Sequence, residues 1–88
     1  MAANSTAQII MSLDLGTTST RVALYDTDGN AVTIVAREHQ QYFPHPGWVE
    51  HDAAEIWGNI RELAALSLAR AQLAAADIVT IGITNQRE

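Results

Sequence analysis

Two β-rich runs, Gln8 to Asp14 and Thr20 to Asp26, are separated only by Leu15-Gly16-Thr17-Thr18-Ser19. A parallel crossover needs roughly a dozen residues or more, so a link this short makes the runs antiparallel neighbours. Alternation over Arg21-Val22-Ala23-Leu24-Tyr25 marks the second run as a strand with one covered face. Asp26-Thr27-Asp28-Gly29-Asn30 then carries the Asp-Gly signature of another tight turn, and Ala31 to Glu38 supplies a third strand. The acidic look of that turn does not fit an EF-hand calcium loop, where glycine follows three spaced ligands at the sixth position.

The period changes at Asp52. Asp52 with Glu55 three residues on forms a capping-box-like start, and Ile56, Trp57, Ile60, Leu63, Ala64, Ser67, Leu68 and Ala71 fall along one helical face, with Leu66 opposite it. Between the third strand and this helix, His39 to His51 holds both prolines, Pro44 and Pro46, and predicts an extended crossing loop. After an alanine-rich exit at Ala74 to Ala76, Asp77 to Ile83 is a strand apolar on both sides, the pattern of a central, covered strand. A strand that returns after a crossover helix is most simply parallel to an earlier one. The expected fold is therefore α/β: a mixed sheet ordered 3-2-1-4, strands 3-2-1 antiparallel, the fourth parallel to the first, and one crossover helix on one face.

A chain of 88 residues, 48% apolar, is globular in composition and makes at most one small domain. It has no cysteine, which excludes disulfides and thiolate metal sites. Its net charge is −5 and its cations are five arginines, a balance that argues against a nucleic-acid partner. No segment is long and apolar enough for a membrane span, and Met1 to Gly16 lacks the features of a signal peptide, so a cytoplasmic location is expected.

The chemistry concentrates where the first two strands meet. In Asp14-Leu15-Gly16-Thr17-Thr18-Ser19 the glycine permits close backbone approach, the amides of a tight turn can face an anion, and three hydroxyls add donors, a combination that suits phosphate. The Asp14 carboxylate suits magnesium. There is no lysine and no P-loop pattern. On spacing alone, a hydroxyl-rich hairpin turn with Asp14 as a local cap is the commoner use of the same residues.

Three separated motifs bear on that choice: DLGTTSTR from Asp14 to Arg21, PGWVEHD from Pro46 to Asp52 followed by Glu55-Ile56-Trp57, and GITNQRE from Gly82 to Glu88. Together they resemble the amino-terminal segment of the FGGY carbohydrate kinase family, and within it the glycerol kinase branch. The resemblance runs from about Ile9 to Glu88. It implies a partial ribonuclease H-like domain of the actin-like ATPase type, with residues 1–8 a flexible N-terminus and 9–88 an incomplete N-terminal kinase domain.

By this resemblance, Gly16, Thr17, Thr18 and Ser19 would contact the phosphates of ATP, with Arg21 near the transferred group and Asp14 on the Mg2+ side. Arg87 and Glu88, with Gln86 beside them, would bind the hydroxyls of glycerol; an arginine donates and a glutamate accepts, and vicinal hydroxyls need both. The reaction implied is ATP plus glycerol to ADP plus sn-glycerol 3-phosphate, in a homo-oligomeric parent protein. The catalytic base and the adenosine site would lie beyond Glu88, so the segment alone is expected to be inactive. Leu15 stands where glycerol kinases typically carry Gln and other sugar kinases of the family commonly carry Leu. Another FGGY sugar or polyol kinase is thus the alternative, as is a non-catalytic stand-alone domain that kept the turn.

Blander roles are expected elsewhere. Trp57 lies on the helix stripe and is expected in the core, and Trp48 is expected to anchor its ring against the sheet edge. His39, His45 and His51 lack compact metal spacing and are expected as exposed loop residues. With one face of the sheet bare and the edge of the last strand open, the isolated segment is expected to be poorly stable or to self-associate.

Overall fold

The computed structural model describes residues 7–85. Strand β1 (Ile9–Leu15) pairs antiparallel with β2 (Ser19–Tyr25), and β2 antiparallel with β3 (Ala31–Glu38). Helix α1 (Ala53–Ala71) and a short 3-10 turn (Ala75–Asp77) lead to β6 (Ile78–Asn85), which pairs parallel with β1. The sheet order is β3-β2-β1-β6, the expected mixed sheet. The last strand begins one residue later and runs two residues further than the sequence pattern indicates, because Asp77 is used in the turn: its carboxylate accepts from the amides of Ala74 at 2.8 Å and Ala7 at 3.2 Å.

Each hairpin turn has a local cause. Asp26 caps the β2–β3 turn, with Oδ1 accepting from the amides of Asp28 (3.0 Å) and Asn30 (2.9 Å), and Gly29 adopts φ 87°, where a side chain would be strained. These bonds, first that from the Asn30 amide, hold the Asp26 carboxyl below its ordinary value. The segment after β3 differs from the expected loop: Gln41–Tyr42 (β4) and Glu50–His51 (β5) pair antiparallel, Gln41 with His51 and Tyr42 with Glu50, so both prolines sit inside a small hairpin of their own.

Helix α1 starts as expected at Asp52, which accepts from the amides of Ala54 (2.9 Å) and Glu55 (3.4 Å). It ends in a Schellman closure, with the Leu73 amide on the Leu68 carbonyl at 2.9 Å, the Gln72 amide on Ala69 at 3.2 Å, and Gln72 left-handed at φ 57°. Its buried face follows the expected stripe through Ile60, Leu63, Ala64, Ser67, Leu68 and Ala71, and departs from it at Trp57, Asn59 and Leu66. Asn59, Leu63 and Ser67 are buried and Leu66 packs against the core, whereas Trp57 is 59% exposed. Arg37 of β3 reaches across to Asn59 Oδ1 and pairs with Glu62 on the flank of that face.

Core residues Ile9, Met11, Leu13, Val22, Leu24 and Val35 alternate along three strands and meet Leu63 under α1. The strand that looks covered on both sides is not covered here. Val79, Ile81 and Ile83 share the face of Met11 and Leu13, but α1 lies over β2 and β3, leaving these three exposed on β6 at the end of the sheet. The opposite face carries no helix among the described residues.

Candidate functional site

Strand pairing brings two of the three motifs to one end of the sheet. Asp14 lies opposite Arg21 in the β1–β2 ladder and opposite Thr84 in the β1–β6 ladder, and Leu15 lies opposite Asn85. Because Met11 and Leu13 point to the core, alternation sends Asp14, Arg21 and Thr84 to the face without a helix. There the Thr84 hydroxyl donates to Asp14 Oδ1 at 3.2 Å. No ion pair joins Asp14 to Arg21 among the described residues, so the second carboxylate oxygen and the guanidinium stand available beside the turn.

The turn is tight. The Gly16 amide donates to the Ser19 carbonyl at 2.9 Å, and a Cβ on Gly16 would approach that oxygen to 3.1 Å, closer than nearly all side chains tolerate. Thr17 and Thr18 are exposed and Ser19 is half-buried. A side chain at 16 would thus require the Ser19 carbonyl to give by a few tenths of an ångström, and the two threonines lie exposed on the solvent side. An anion of phosphate type fits these donors, and a single carboxylate with an open oxygen fits a magnesium ion that keeps most of its waters.

Gln86, Arg87 and Glu88, the candidate acceptor-binding residues, lie outside the described residues. Asn85, at the start of that NQRE segment, is the residue placed against Leu15.

Two residues of this site were not singled out from sequence. Thr84 is one, recognisable only once the β1–β6 register is known. His39 is the other: instead of being exposed it is buried, its amide donating to Thr18 O and its Nε2 to Thr17 O, each at 3.0 Å. His51 packs edge-on against it, with ring centroids 4.7 Å apart. Trp48 is not against the sheet edge; it is 56% exposed and its ring meets His45 at 4.6 Å.

This sheet, with its turn between the first two strands, is that of sugar kinases with the actin-like ATPase fold. A crystal structure of Plasmodium falciparum glycerol kinase with ADP superposes with a TM-score of 0.76 over 94% of this chain and 17% of that one, at 36% identity. A xylulose kinase from Rhodospirillum rubrum gives 0.79 over 92% and 17%, at 31% identity. Residues 9–88 match the sequence profile of the FGGY family of carbohydrate kinases, N-terminal domain, and the chain belongs to that family. A glycerol kinase from Pseudarthrobacter chlorophenolicus is 53% identical over 81 residues, which make up 92% of this chain and 16% of that protein. The chain therefore spans about one sixth of the length of the curated relatives it matches.

Proposed function

We propose that this chain supplies the phosphate-gripping turn and part of the acceptor pocket of an ATP-dependent glycerol kinase, which converts glycerol and ATP to sn-glycerol 3-phosphate and ADP. The observation that carries this proposal is the parallel register of β1 and β6, with Thr84 bonded to Asp14 and Asn85 opposite Leu15. It starts the NQRE segment at the lip of the DLGTTS turn, as a phosphoryl donor and its acceptor require.

In this proposal Gly16, Thr17, Thr18 and Ser19 line the nucleotide phosphates, Gly16 by allowing close backbone approach and the others through amides and hydroxyls, and Arg21 offsets the charge of the transferred group. Asp14, steadied by Thr84, is the residue that would hold Mg2+, directly or through water; the ion, when bound, neutralises phosphate charge. Arg87 and Glu88, with Gln86, bind the glycerol hydroxyls. No residue within 7–85 is assigned as the base. The activity belongs to the complete gene product, and these 88 residues alone are proposed to be inactive. No helix among the described residues is long and apolar enough to cross a membrane. Together with small polar substrates, this supports a cytoplasmic setting.

Leu15 and the likeness to a xylulose kinase favour a second acceptor class, a different sugar or polyol. Comparing ATP consumption by the complete gene product with glycerol, xylulose and gluconate decides between them. Glycerol is expected to give a kcat/KM at least about a hundredfold above the others, the scale of discrimination that acceptor hydrogen bonds provide. A higher value for xylulose or gluconate would transfer the assignment to that substrate.

A further inference from the structure

We propose that His39 is a positioning residue for the nucleotide-binding turn, fixing which way its peptide groups face. The inference rests on the proposal above that Gly16 to Ser19 holds phosphate. An anion cradle needs amide hydrogens turned toward the ligand and carbonyl oxygens turned away, since an oxygen facing the anion repels it. In this turn three of the four carbonyls from Gly16 to Ser19 take donors from the protein: Thr17 O from His39 Nε2 (3.0 Å), Thr18 O from the His39 amide (3.0 Å), and Ser19 O from the Gly16 amide (2.9 Å). Two of the three donors come from one residue. Among the described residues, the Thr17 and Thr18 amides donate to no backbone acceptor.

His39 is well placed to hold this polarity. It is 7% exposed, and its ring is packed edge-on by His51, at an interplanar angle of 72°. The next residue is tied to the first turn of α1, where the Gln40 amide donates to Glu55 Oε2 at 3.2 Å. The clasp therefore joins the turn to the end of β3 and to the helix. Donation from Nε2 leaves Nδ1 as the second ring nitrogen, and it has no partner within the described structure. The histidine is spent on the turn and on no other polar contact.

Glutamine can place an amide NH near the Nε2 position, whereas asparagine reaches only as far as Nδ1. The test measures ADP affinity by calorimetry, and KM for glycerol, in the complete gene product carrying His39→Asn, His39→Gln or Thr17→Ala. His39→Asn is expected to weaken ADP about fivefold to tenfold, the worth of one hydrogen bond, while His39→Gln stays within about twofold of wild type. The glycerol KM should stay within about twofold in both. If the Asn variant does not fold, His39→Phe, which keeps the ring bulk without the donor, should show the same loss of ADP affinity. Equal affinities for Asn, Gln and wild type would overturn the inference. So would equal losses in Asn and Gln, which would mean packing alone matters, or a glycerol KM that rises in step. Thr17→Ala separates the two claims: if it weakens ADP while the His39 variants do not, only the role of His39 falls. Failure of the wild-type protein to bind ADP would remove the phosphate turn and His39 together.

Discussion

Single residues shape the turns of the two hairpins in the main sheet, β1–β2 and β2–β3. Asp26 is the clearer case for stability, because its carboxylate accepts two backbone amides and its pKa is lowered chiefly by the Asn30 amide. A lowered native pKa means the stabilising contribution is fully present above the unfolded value, near 3.8, and is lost as pH falls through the native one. Asp26→Ala should therefore lower the unfolding midpoint at pH 7, with the gap from wild type closing as pH falls below 3.8 and through the lowered native value in an acid titration followed by circular dichroism. A gap that does not change with pH would mean the carboxylate is not the source. At this scale the sequence was legible where chemistry is local: the Asp-Gly turn, the Asp52 cap and Gly16 follow from neighbours within a few positions. Thr84 and His39 were not, because their partners Asp14 and Thr17 lie 70 and 22 positions away and are found only through strand register and chain return.

At the scale of elements, α1 is where local pattern and tertiary packing part. Its boundaries follow from capping, and the measured worth of such caps sets an expectation: Asp52→Ala should cost about 1 kcal/mol in chemical denaturation of the complete protein. A loss well under ~0.3 kcal/mol would show that α1 is held by packing alone. Its buried face follows the apolar spacing through Ile60, Leu63, Ala64, Leu68 and Ala71 but not at Trp57, Asn59 or Leu66. Asn59, bonded by Arg37, is buried and Leu66 packs against the core, positions that apolar spacing does not mark, while Trp57 is left exposed. The His39–His51 stretch shows the same limit from the other side. Prolines predicted irregular chain, yet two-residue strands of unremarkable composition, Gln41–Tyr42 and Glu50–His51, found each other across it.

For the whole molecule, topology was legible because connection lengths allow few alternatives: a five-residue link forces a hairpin and a helix-bearing crossover favours a parallel return. The apolar pattern of β6 has a consequence at this scale. Val79, Ile81 and Ile83 are 56%, 53% and 65% exposed on an edge strand in a chain that has no lysine to guard it. The 88 residues by themselves are expected to self-associate, with a weight-average mass in sedimentation equilibrium that rises with concentration and falls toward the monomer in Ile81→Lys. A wild-type monomer at every concentration would contradict this. The central claim is that the β1–β2 turn, set beside the end of β6, grips the phosphates of a nucleotide. Its most direct test is the ADP affinity of the complete gene product with and without Gly16→Ala, since that Cβ would meet the Ser19 carbonyl at 3.1 Å. The account predicts a loss of about tenfold or more with the fold intact; unchanged affinity in Gly16→Ala would contradict it.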